Sequence, residues 1–175
     1  MPFRGTLDDV SIYRRPLSTE EIDELYRAAG LALHLKLDEA PGVASFENAV
    51  DLSRQSNAFC TSAGGACPTT GVAGRMNQAA LFDGSSDWLS TTLTLDTSQG
   101  GALMAWVRPT TLGDTTRAVL SAGGWAIVRA GLRWKVQNGG TLVDTGAAVT
   151  VNEWQHVAAT LMGNNVRFYL NGQLI

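Results

Sequence analysis

The chain has 175 residues, a formal net charge of −3, and 17% charged residues against 45% hydrophobic ones. That length suits one well-buried domain. The scattered Lys and Arg form no basic stripe with interleaved aromatics, which argues against a nucleic-acid partner, and no apolar run approaches the ~18 residues that span a bilayer.

The first elements are a strand, a turn and a capped helix in "FRGTLDDVSIYRRPLSTEEIDELY". Ser18 and Glu21 have the spacing of a capping box, and Leu17 and Ile22 that of a hydrophobic staple. Ile22, Leu25, Tyr26 and Ala29 follow at helical spacing and Gly30 ends the run, which predicts a short amphipathic helix over residues 18–29. The period then changes to two. In "LALHLKLD", Leu31, Leu33, Leu35 and Leu37 alternate with Ala32, His34, Lys36 and Asp38, the pattern of a half-buried strand.

Cys60 and Cys67 bracket "TSAGGA". Zinc needs about four ligands, usually with CxxC pairs, and neither is present. A disulfide closing so short a loop contributes about 2.5 kcal/mol in the chain-entropy model; the alternative is two free thiols. The disulfide reading favours an oxidising, extracellular or cell-surface home. Because "MPFRGTLDDV" lacks the apolar centre of a signal peptide, the expectation is a piece of a longer secreted protein.

Beyond the cysteines, strand candidates follow at short intervals: "QAALF", "WLSTTLTL", "GALMAWVRP", "RAVLSA", "WAIVRA", "LRWKVQ", "TLVDTG", "EWQHVAATL" and "NVRFYLNG". Gly, Asn, Asp or Pro clusters separate most of them, and "MGNN" between Leu161 and Val166 reads as a hairpin turn. Many short strands with one helix imply an all-β antiparallel sandwich with that helix on its surface.

Several of these stretches resemble the bacterial laminin-G-like domains of the concanavalin A-like lectin/glucanase superfamily. "LALHLKLDEAPGVASFENAVDLS" resembles their opening strand and turn, and "GRMNQAALFDGSSDWLS" their Gly-x-Ala-hydrophobic-Phe-Asp-Gly signature. "LMAWVRP" and "EWQHVAATLMGNNVRFYLNGQLI" resemble their central strands and late hairpin, and "FRGTLDDVSIYRRPLSTEEIDELY" their closing segment. The resemblance implies a jelly-roll sandwich. In the family the strand like "LDDVSIY" comes last and lies beside the first; here it comes first. Residues 1–30 therefore resemble the tail of one tandem repeat and residues 31–175 most of the next. An unpaired apolar edge invites pairing, so residues 5–13 are expected to close the sandwich against residues 31–38 in permuted order. A swap with a second molecule is the rival.

Catalysis is not expected. Sandwich glucanases carry paired carboxylates on a Glu-x-Asp-x-x-Glu strand; the nearest match, Glu21 to Tyr26, ends in Tyr and lies in the capped helix. His34 and His156 accompany no nucleophile elbow. A structural calcium ion, which the resemblance implies, would draw on Asp38, Glu39, Asn48, Asp51 and Asp9, oxygen donors brought to one rim by the permuted pairing. A sugar platform needs an exposed aromatic. Trp106 and Trp154 resemble family core positions, which leaves Trp125, Trp134 and Trp88 as weak candidates. The expected function is a non-catalytic binding module for polysaccharide in a multimodular protein, beside neighbouring repeats. The rival is an adhesive spacer acting through protein contacts.

Overall fold

The computed structural model describes residues 31–49, 56–61, 65–93, 100–113, 115–163 and 165–175. The chain divides into two units, Met1–Leu31 and Ala32–Ile175, and the fold described is that of the second. The helix over residues 18–29 and the pairing of residues 5–13 lie outside the described residues, among which there are strands and no helix.

In chain order the strands are β1 (Ser45–Phe46), β2 (Ala58–Phe59), β3 (Thr69–Ala73), β4 (Gln78–Leu81), β5 (Ser90–Thr91), β6 (Gly101–Val107), β7 (Arg117–Ala122), β8 (Trp125–Ala130), β9 (Arg133–Asn138), β10 (Thr141–Ala148), β11 (Gln155–Met162), β12 (Asn165–Leu170) and β13 (Gln173–Leu174). They form two four-stranded sheets, β10-β9-β8-β7 and β13-β12-β11-β6, a three-stranded sheet β1-β2-β5, and the β3-β4 ribbon. Every strand pairing is antiparallel.

The meander from β7 to β10 follows from local chemistry. β7 and β8 pair up to Ala122 and Trp125, and the intervening Gly123 and Gly124 have φ of 55° and 85°. A two-residue hairpin turn whose twist matches its strands requires positive φ at both central positions, which glycine adopts without a Cβ clash.

The two four-stranded sheets enclose one core. Trp125 and Ile127 of β8, and Trp134 and Val136 of β9, meet Leu103 of β6, Val157, Ala159 and Leu161 of β11, and Phe168 of β12. Each occupies an alternate position on its strand, which is why the inward set is apolar and the outward set mixed. One polar residue is embedded here. Gln155 is buried; its Oε1 accepts from the Trp134 indole N–H at 3.3 Å and from the Thr150 amide at 3.0 Å, and its Nε2 donates to the Ala148 carbonyl. The Trp125 indole N–H, also buried, has no partner.

A smaller core joins Phe46, Ala58 and Cys60 to Leu35, Leu37, Val43, Ala80 and Leu89. The Cys60–Cys67 disulfide forms there, so the thiol alternative falls.

Residues 31–38 depart from the expected strand. Leu33, Leu35 and Leu37 are partly buried while His34 and Lys36 are exposed, as the alternation predicts. Yet among the described residues the segment makes a single bridge, Leu35 to Asn48. Leu37 adopts a left-handed φ of 59°, which takes the backbone out of the extended conformation. The Asn48 side chain replaces a ladder: its Oδ1 accepts from the His34 amide at 2.9 Å, and its Nδ2 donates to Ala32 and Ser56.

Candidate functional site

Strand alternation decides which side chains reach the outer face of the β13-β12-β11-β6 sheet. On β6, Leu103 points into the core, so Met104 and Trp106 point out, 60% and 40% exposed. On β11, Val157, Ala159 and Leu161 are buried, which turns His156 and its alternates the other way. Trp106 and His156 are cross-strand partners, and their rings meet edge to face with centroids 5.2 Å apart.

The β3-β4 ribbon supplies the next member. Ala73 pairs with Gln78, and between them the Gly74 amide donates to the Asn77 carbonyl at 3.0 Å. A Cβ on residue 74 would overlap the Gln78 carbonyl oxygen, so the turn admits glycine there. Asp38 fastens the turn from outside: Oδ1 accepts from the Gln78 amide at 2.9 Å, and Oδ2 from the Asn77 side chain at 3.3 Å. Held this way, the loop sets the Arg75 guanidinium 5.0 Å over the Trp106 ring. At an exposed site such a cation–π contact is worth ~0.5–1 kcal/mol.

Asn171, at the turn from β12 to β13, closes the other side. Its Oδ1 accepts from the His156 amide at 2.9 Å, and its own amide donates to the His156 carbonyl at 2.8 Å. With φ of 52° it holds a left-handed turn that Asn tolerates better than most residues. Arg75, Trp106, Trp154, His156, Asn171 and Gly172 together line an open groove of about 520 Å³.

Strand parity sorts the tryptophans, and for Trp106 it differs from the expectation. Trp125 and Trp134 are core residues, 2% and 1% exposed, because they share the inward face of β8 and β9 with Ile127 and Val136; neither offers a surface to a ligand. Trp106, expected in the core, is on the surface, and Trp154 is half-buried beside it. Trp88 is exposed, packs edge to face on Phe59 at 6.3 Å, and lies outside the groove lining. Period-two parity in "LMAWV" held the missed signal: Leu103, Ala105 and Val107 already supply the inward set, so Trp106 falls on the outward one. Nothing in the sequence marks Arg75, whose role depends on a ribbon meeting a distant strand.

Three of the five residues expected to hold calcium, Asp38, Glu39 and Asn48, are among the described residues. Asp38 is engaged by the β3-β4 turn and Asn48 by the backbone at residues 32 and 34. One Glu39 oxygen accepts from the Glu47 amide at 3.0 Å while the other is buried without a partner. Asp51 and Asp9 lie outside the described residues. Among the described residues no group of three or more His, Cys, Asp or Glu could hold a metal ion, so the described oxygens do not fit the six to eight that calcium takes.

Residues 83–175, more than half of the chain, match the family model described as the concanavalin A-like lectin/glucanases superfamily. No curated protein and no solved structure matches the chain. The match begins at the "DGSSD" turn and runs through both four-stranded sheets, taking in Trp106, Trp154, His156 and Asn171 of the groove. On that match and on its two packed antiparallel sheets, the chain belongs to the concanavalin A-like lectin/glucanase superfamily.

Proposed function

We propose that the domain is a non-catalytic carbohydrate-binding module of a secreted or surface-attached multimodular protein, and that the groove beside Trp106 is its ligand site. The observation that carries this reading is the outward-facing Trp106, with Trp154 and His156 in the same lining. The apolar face of a sugar ring buries well against an indole, while polar neighbours take its hydroxyls. Glycosidic hydrolysis needs two carboxyl groups flanking the bond. The lining instead offers a guanidinium, two indoles, an imidazole, an amide and a glycine, a set suited to holding a ligand. The Cys60–Cys67 disulfide supports the extracellular part of the proposal.

The direct test is a glycan array followed by titration of the bound oligosaccharide, read by tryptophan fluorescence. Trp106→Ala should weaken binding by about 2 kcal/mol, the scale of an aromatic anchor. Because Trp106 faces outward, its thermal unfolding should remain cooperative. A folded variant that binds as tightly as the wild type removes the groove from the reading.

A second reading, adhesion through protein contacts, draws on Met104 and Met162, 60% and 72% exposed on the same sheet face. Flexible apolar side chains on an open face suit adaptable protein contacts. An array with no bound glycan, together with loss of association in Met104→Ser, would favour it.

A further inference from the structure

We propose, resting on the sugar-binding reading of the groove, that its ligand is acidic: a saccharide whose rings carry carboxylate groups, with Arg75 as the anion contact. Three observations lead there. Arg75 places its guanidinium carbon 5.0 Å from the Trp106 ring centroid, and such a cation–π contact does not consume the five N–H donors of the guanidinium. Among the described residues no carboxylate pairs with Arg75; the described ion pair joins Lys135 to Asp144 at 3.3 Å. Arg108 and Arg129, by contrast, donate to the Asn152 and Gly113 carbonyls. Among the described residues, Arg75 thus brings a cation without a carboxylate partner to the rim of an aromatic groove.

The remaining lining has the same bias. The Asn171 Oδ1 already accepts from the His156 amide, while its NH2 group adds two donors. The Trp106 and Trp154 indoles carry donors only. Neutral sugars present hydroxyls that donate as well as accept, and a complementary site supplies both kinds of partner. This one is rich in donors, and Asp and Glu are missing from its lining. A carboxylate, which only accepts, matches such a surface, and the planar guanidinium fork can meet both of its oxygens at once. The geometry is prepared before the ligand arrives. Asp38 and Gly74 shape the turn that carries Arg75, so little of its freedom is lost on binding.

The test compares an oligogalacturonate with its methyl ester, which keeps the ring and removes the charge, and with dextran sulfate, all titrated at fixed ionic strength against the whole chain. The acid should bind at least about tenfold more tightly than the ester, the scale of a charge-assisted hydrogen bond. Arg75→Gln should erase that difference, and Arg75→Lys should restore part of it. Acid and ester bound equally well, with both weakened by Trp106→Ala, would overturn the acidic ligand and leave the sugar reading standing. Retention of the acid preference in Arg75→Gln would remove Arg75 from the contact. Dextran sulfate bound in preference to the uronate would overturn the carboxylate assignment. Failure of every saccharide to bind a cooperatively folded wild type would sink both readings together.

Discussion

Gln155 is the residue on which most of the buried polar chemistry of the sandwich converges. Its carbonyl oxygen takes two N–H donors and its amide nitrogen serves a main-chain carbonyl, so one side chain satisfies groups from β9, β10 and the segment leading into β11. Truncation strands those partners away from water. A buried donor left unmade costs ~1–3 kcal/mol, more than the loss of a typical intramolecular hydrogen bond. Gln155→Ala should therefore lower stability by about 3 kcal/mol, since two N–H groups are orphaned together. Chemical denaturation checks this: the midpoint should fall with an unchanged slope. Trp125 offers a contrast, since its indole N–H is already without a partner. Its contribution rests on the area it buries.

At the scale of elements, two turns show how a short polar segment can be as well determined as a strand. The turn between β3 and β4 is held from outside by Asp38. The turn at residues 83–87 is held from within: Asp83 Oδ1 accepts from the amides of Ser85, Ser86 and Asp87, and the Asp87 carboxylate accepts from the Asp83 amide at 2.7 Å. The Ser85, Ser86 and Asp87 amides, with the Ser86 hydroxyl, pull the Asp83 carboxyl down from 3.8 to about 2. Because the folded state prefers the ionised form, its contribution is fully present above 3.8 and disappears as the pH falls through about 2. The stability difference between the wild type and Asp83→Asn should therefore be flat near neutrality and shrink across that acid window. Thermal melts from pH 2 to 7 read it directly. A gap that persists undiminished at the acid end would assign the role to something other than ionisation.

At the scale of the whole molecule, the described domain has two cores. The larger lies between the four-stranded sheets and has Trp125 and Trp134 at its centre. The smaller, around Phe46, is built from two-residue strands and segments with little regular pairing. It has few ladder hydrogen bonds, and the disulfide between residues seven apart compensates. Replacing both cysteines with serine should cost about 2.5 kcal/mol by the loop-entropy estimate. Protection from amide exchange should fall first in β1, β2 and β5, and least in β8 and β11. A uniform loss of protection would instead mean that the two cores unfold as one unit.

What the sequence determined by itself is the part written in local periodicity. The nine strand candidates from "QAALF" to "NVRFYLNG" each overlap an observed strand, although "WLSTTLTL" yields only β5 among its described residues, because alternation and glycine turns are properties of neighbouring residues. β1, β2 and β13, two residues each, are too short to carry a period, and β3, in "TTGVA", is interrupted by glycine. The expected strand over residues 31–38 kept its alternation at residues 33–37 but makes one bridge among the described residues, because a left-handed Leu37 and the Asn48 side chain are facts of the folded chain. The groove divides the same way. Trp106 faces outward by strand parity, and that was legible. Arg75 over Trp106, and Asp38 holding an arginine-bearing turn, required residues 31 to 40 positions apart to meet. Only the tertiary structure decided them, since period and turn chemistry act over a few residues and long-range contacts leave no mark on either.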